Sequence, residues 1–313
     1  MTLCDPGDNV LYAEWTYPSE LAAADPLGIK AVPVPVDNES MRSDALFKLL
    51  TMWDENEHGG PRPRVMYTVP VGQNPTGAAS LQWERDIYNA CVKFNAMILE
   101  DDPLSPRGAP CNMTRSNDVF LNSLAPNYLR QNKSIDYQGH VVRSDSFSKT
   151  IVLGCRLGWF TCIPLFSERF ERQRETLTQG PSGLSQVNPQ LPPGLVAALL
   201  LNWRFDGYVR WLQGLRGQYR ERRDLCVDLF AELQINFRNH TSFNRLGHQA
   251  LESKICQEFA GAGVLVGPGF TFSPRSPEFV DDDGLGHIRL SFGNAVVSAV
   301  ARLQETQLID SIL

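Results

Sequence analysis

Short apolar runs rich in β-branched residues recur along the first half of the chain, and each stops at polar residues able to do chemistry. Val65–Val71 is bounded by Pro and Gly and runs into Gln73-Asn74-Pro75-Thr76-Gly77. Ala96–Leu99 stops at Glu100-Asp101-Asp102, and His140–Arg143 leads to Ser146-Phe147-Ser148-Lys149. Trp159–Ile163 is a further strand-like run, and Thr76–Phe94 carries helical spacing through Leu81, Ile87, Ala90, Cys91 and Phe94. Runs of this length and composition read as buried strands, and their alternation with a helix predicts parallel βαβ units in a sheet covered on both faces. That arrangement narrows where chemistry can sit, because open α/β sheets bind ligands beyond the carboxyl ends of their strands.

From Leu195 the texture changes. Leu195–Leu233 reads as a long helical stretch heavy in Trp, Leu and Arg, with Arg216, Arg220, Arg222 and Arg223 taken as a solvated basic face. Ala262–Val266, Gly267–Phe272 and Ile288–Phe292 then suggest a smaller α/β unit. The expected division is a large domain over 1–195 and a connecting helix with a small domain over 196–313. Asn56–Arg64 and Gln186–Gly194 read as loops from their Gly and Pro content. With 313 residues, 42% hydrophobic and 20% charged, the chain can bury a sizeable core.

Composition also excludes. A net charge of −6 argues against a protein that coats nucleic acid, which needs a basic face. No apolar run reaches the ~18–20 residues of a membrane helix, and the first residues carry Asp5, Pro6 and Asp8 instead of a signal peptide's basic and apolar regions. The seven cysteines are scattered, with no CxxC pair, which reads as reduced thiols in a cytoplasmic protein. The five histidines show no metal-binding spacing.

Taken singly, each polar strand end has an ordinary explanation. Asn74 can be a turn residue before a helix, Tyr17 and Phe272 core aromatics, Arg289 half of a surface ion pair, and Lys149 a surface lysine. Their order and separation carry more. DPGDNVLYAEWTYP (5–18), MYTVPVGQNPTG (66–77), ILEDDP (98–103), RSDSFSKTIVLGCRLGW (143–159), GPSGLSQ (180–186), NWRFDGYVRWLQGLRGQYRERRD (202–224), GVLVGPGFTF (263–272) and HIRLSFGNA (287–295) together span most of the chain. The set resembles the fold-type I pyridoxal phosphate (PLP) enzymes, specifically class I/II aminotransferases of the fungal aromatic and kynurenine/2-aminoadipate kind.

That resemblance implies the aspartate aminotransferase-like fold, a homodimer, and transfer of an amino group between an aromatic or aminoadipate-like amino acid and a 2-oxo acid. It also implies roles. Lys149 would form the Schiff base with the cofactor and later move the proton between the substrate Cα and the cofactor. Asp101 would pair with the pyridine nitrogen so that the ring acts as an electron sink. Asn74 would hydrogen-bond the phenolic oxygen, with a further contact to substrate. Ser146, Ser148 and Arg156 would hold the phosphate, and Tyr17 would stack on the ring. Arg289 would clamp the substrate α-carboxylate and Phe272 would line the side-chain pocket.

Three departures from the family pattern stand beside these expectations. The family's front segment, with a Gly-Ser-Gln turn that binds phosphate at a helix N-terminus, has no counterpart before Tyr17, so the chain reads as N-terminally truncated and its sheet as lacking a first strand and helix. Leu104 stands where the family has a Tyr directed at the phenolic oxygen. Val187–Gly194 reads as an insertion whose three prolines forbid a continuous helix. The competing readings are a truncated, impaired homologue and a PLP enzyme of another reaction type: β-elimination, decarboxylation or racemisation.

Overall fold

The computed structural model describes residues 3–37, 40–77, 84–101, 139–177, 191–232, 248–261, 265–274 and 287–289. Two compact units are present, residues 1–213 and 214–313.

The first unit is built on a six-stranded sheet of β1 (Asn9–Ala13), β2 (Lys30–Val34), β5 (Val65–Thr68), β6 (Met97–Asp101), β7 (Val141–Ser146) and β8 (Gly158–Thr161), in the order β2-β1-β5-β6-β7-β8. A small hairpin of β3 (Val36–Asp37) and β4 (Ser40–Met41) lies apart from it. Every neighbouring pair from β2 to β7 is parallel. β8 runs antiparallel to β7, so the sheet is mostly parallel. The reason is the connection. Phe147–Leu157 contains only a turn and a 3-10 helix, too little for the crossover of a dozen or more residues that a parallel neighbour needs.

β1 and β5 are buried along their whole lengths, as strands covered on both faces must be. One face packs Leu11, Met66, Ile98 and Val141 against α2 (Ser43–Thr51) and α3 (Glu84–Lys93). Leu46 and Leu50, one turn apart on α2, and Ile87 and Cys91 on α3 supply the helical side. A helix as short as α2 is not stable in water alone. Burial of each leucine, at about 1.5–3 kcal/mol, holds it in place. The opposite face packs Val10, Tyr12, Val65, Tyr67 and Val69 against Leu21 of α1 (Pro18–Ala24).

β1 leads to β2 on one side, whereas β5, β6 and β7 are added on the other. The strand order therefore reverses between β1 and β5, the place at which open α/β sheets bind ligands beyond the carboxyl ends of their strands. α4 (Pro164–Leu177) follows β8. α5 (Leu191–Glu232) begins earlier than the expected Leu195, and its backbone leaves the helical region at Arg204 (φ 53°, ψ −173°). Pro192 and Pro193 sit in its first turn, where a missing N–H costs nothing.

In the second unit α6 (His248–Gly261) accompanies the antiparallel pair β9 (Gly267–Pro268) and β10 (Ile288–Arg289). Arg216, expected on a solvated face, is buried. Among the described residues no helix is long and apolar enough to cross a membrane.

Candidate active site

Four strand exits meet at the carboxyl edge of the sheet. β1 runs out through Trp15 and Thr16 to Tyr17, which precedes α1 and is exposed. β5 runs out through Val69–Val71 into Gln73 and Asn74. β6 ends on Asp101 itself, paired in register with Ser144 of β7. β7 ends on Ser146, and the turn after it carries Ser148 and Lys149.

The first two exits are stapled across the strand-order reversal. Buried Gln73 donates its amide N–H to the carbonyl of Trp15 at 2.7 Å and accepts the Thr76 hydroxyl at 2.6 Å. The backbone N–H of Gly77, at φ 72°, closes the turn onto the Gln73 carbonyl at 2.6 Å. The Asn74–Pro75 bond is cis. Within this braced turn the side-chain oxygen of Asn74 is buried and has no hydrogen-bond partner among the described residues. A buried polar atom left unmatched costs about 1–3 kcal/mol, so a group that supplied the match would be favoured here.

Asp101 lies on the α1 face of the sheet, because side chains alternate along a strand and its register partners link it to Ser144 and, through Leu99, to Tyr67. Tyr67 donates its hydroxyl to Asp101 Oδ2 at 2.7 Å. Burial first, and then the Asp101 carboxylate, pushes the Tyr67 phenol far above its ordinary range, so it stays protonated and a donor. Glu20 of α1 completes the cluster. Burial first and the Asp101 charge second raise its pKa.

The opposite face of the same strands is tied by charge. Arg143 of β7 donates to Asp145 at 2.8 Å twice and to Glu100 of β6 at 2.7 Å, all three buried. The ion triad thus clamps the strand ends that present Asp101 and Ser146.

The Lys149 turn is gathered on one carbonyl, that of Phe147, which accepts the backbone N–H groups of Thr150, Ile151 and Val152. The Phe147 ring packs on Trp159 at 4.7 Å between centroids. From α5 the indole of Trp211 donates to the Thr150 carbonyl at 2.5 Å. Lys149 itself is exposed, and Ser146 and Ser148 are half-buried. Arg156 caps the 3-10 helix Leu153–Cys155 in the left-handed region, with φ 46° and ψ 40°, and is exposed. For a side chain other than Gly this is a strained conformation of the kind that clusters at ligand sites.

In the second unit the expected substrate residues are neighbours. Arg289 pairs with Gly267 across β9–β10, and its guanidinium lies 5.8 Å from the ring of buried Phe272. Buried Glu252 of α6 organises the loop, accepting the backbone N–H groups of Phe270 at 2.7 Å and His287 at 2.6 Å. A Cβ at Gly269 would stand 2.5 Å from the Cβ of His287, so this close approach requires glycine.

Leu104, Gly180–Gln186 and Val187–Gln190 lie outside the described residues. Sequence reasoning missed Tyr67, Glu20 and Trp211 in the first unit and Glu252 in the second, because strand register and helix packing, and no local motif, set their contacts. The one available signal was parity: Tyr67 occupies an alternating position of a strand beside that of Asp101.

No family model matches the chain. An aromatic amino acid aminotransferase of Schizosaccharomyces pombe is 37% identical over 234 residues, covering 72% of this chain and 47% of that protein. An L-tyrosine:2-oxoglutarate aminotransferase of Serpula lacrymans is 33% identical, covering 91% of this chain and 62% of its own length. The chain thus spans about half to three fifths of these relatives. Among solved structures, an aminotransferase of Candida albicans superposes with a TM-score of 0.79 at 27% identity, over 98% of this chain and 68% of that one. By sequence and by fold together, the chain is homologous to the aromatic amino acid aminotransferases and shares the fold of solved aminotransferases.

Proposed function

We propose that this chain carries a PLP-dependent aminotransferase site that moves an amino group between an aromatic or aminoadipate-like L-amino acid and a 2-oxo acid. The observation that supports it most is the convergence of Asn74, Asp101 and Ser146–Lys149 on one carboxyl edge, at a reversal of strand order. The aromatic and tyrosine specificities of its relatives support the substrate class.

The residues fit the cofactor by their chemistry. Asn74 has a buried, unmatched side-chain oxygen, which the amide can exchange for its N–H toward a phenolic oxygen. Asp101 has one carboxylate oxygen engaged by Tyr67, and among the described residues no donor meets the other. Bound PLP supplies an electron sink. Asp101 would keep the pyridine nitrogen protonated, and Tyr17 would cover the ring face. Ser146, Ser148 and Arg156 would hold the phosphate, Arg by a bidentate contact. Lys149 would hold the cofactor through its amine and, once displaced by substrate, carry the proton away from the substrate Cα. Arg289 would fix the α-carboxylate shared by amino and 2-oxo acids, and Phe272 would line the side-chain pocket.

Exposed Trp159, Phe160, Leu195, Leu201 and Phe205 support association with a second copy. The free thiols of Cys4, Cys91, Cys155, Cys162 and Cys256 support a reducing, cytoplasmic setting.

The test takes the 313-residue chain with PLP. Borohydride reduction and peptide mapping should place a pyridoxyl group on Lys149, and tyrosine, phenylalanine or 2-aminoadipate with 2-oxoglutarate should give glutamate. A label on another lysine, or no glutamate from any donor, overturns the reading.

A further inference from the structure

The carboxylate that meets the cofactor nitrogen has a support of its own on the same sheet face. Tyr67 is 5% exposed, and its ring is held by Tyr12, 2% exposed, at 5.7 Å between centroids. Its hydroxyl reaches Asp101 Oδ2 at 2.7 Å across two neighbouring parallel strands. Both ends of that bond sit on backbone fixed by ladder hydrogen bonds, so the phenol cannot follow the carboxylate if it swings. A carboxylate with one oxygen pinned has a single orientation in which to present the other.

We infer that Tyr67 is a positioning residue for Asp101, holding its Oδ2 so that Oδ1 is the oxygen presented to the ring nitrogen of the cofactor. The inference rests on the PLP reading above and adds to it a residue that acts only through Asp101.

The experiment separates the two. Dissociation constants for PLP and for its 1-deaza analogue, in which a carbon replaces the ring nitrogen, are measured on the unaltered chain, on Tyr67→Phe, on Asp101→Asn and on the double variant. Tyr67→Phe keeps the packed ring and removes only the hydroxyl. A lost hydrogen bond to a charged group is worth about tenfold or more in binding. The preference for PLP over the analogue should therefore shrink by about tenfold in Tyr67→Phe, while analogue affinity stays within about twofold. On the Asp101→Asn background the second change should have no further effect on that preference. Equal losses for both ligands would mean a general structural role and would overturn the inference while leaving the PLP reading standing. So would an unchanged preference. If the unaltered chain itself shows no preference for PLP, both readings fall.

Discussion

Arg143→Met should be among the most damaging single changes on the sheet, and its size can be worked from the triad. The guanidinium makes three hydrogen bonds to two carboxylates, and the side chains of Glu100 and Asp145 are only 0% and 4% exposed. A buried ion pair adds little net stability over an apolar replacement, yet removal of one partner typically costs ~3–5 kcal/mol because the other charge is left buried and alone. Here two like charges on adjacent strands would be left, so the cost should sit at the upper end of that range. Folding margins are ~5–15 kcal/mol, so the loss consumes a large share of them. Urea unfolding followed by far-UV circular dichroism and by tryptophan fluorescence reads the loss. Trp159, on the strand paired with β7, reports on the local change. The triple variant Arg143→Met, Glu100→Gln, Asp145→Asn should recover most of the midpoint, because no charge of the triad remains buried. A single variant that loses less than ~1 kcal/mol, or a triple variant no better than the single, would refute the argument that the triad clamps the ends of β6 and β7.

Three further outcomes follow from the same kind of reasoning. Burial pushes the Cys91 thiol from 9.0 up to about 12, and the Tyr12 and Tyr67 phenols move the same way. Stability from the thiol is complete below about pH 9 and is lost as the pH rises from there to about 12, where only the unfolded thiol has released its proton; the phenols act in the same direction above their ordinary value of 10.0. Urea midpoints should therefore fall between pH 8 and 10.5, and Cys91→Ala should flatten that fall. Gly269→Ala should cost ~1–3 kcal/mol by forcing His287 away, and faster hydrogen exchange of the β9–β10 amides is the readout. Trp211→Phe removes the donor to the Thr150 carbonyl. A loss of ~0.5–1.5 kcal/mol and slower labelling of Lys149 by borohydride are expected; unchanged labelling would mean that the indole does not brace the Lys149 turn.

How much of this was legible beforehand depends on how local the physics is. The buried strands and the helix after β5 were readable because apolar period and β-branching act within a few residues. Asn74, Asp101, Ser146, Ser148, Lys149, Arg156, Phe272 and Arg289 were readable as candidates because residue type and order survive in the sequence. That three of their strands would end on one edge followed from parallel βαβ connectivity. The antiparallel turn of β8 was not read from the run Trp159–Ile163, because a strand's direction depends on the length of the connection before it and not on its own residues. Tyr67 illustrates the larger limit. In the sequence it is one more aromatic residue in an apolar run, indistinguishable from Tyr12. Only the register of β5 against β6 sets its hydroxyl 2.7 Å from Asp101, and only the packing of α1 brings Glu20 beside them. The Arg143 triad was hidden for the same reason, since a one-residue slip between β6 and β7 would put Glu100 on the opposite face. Composition and local pattern determined which groups this chain has to work with; strand register and helix docking, which depend on residues far apart in sequence, decided which of them touch.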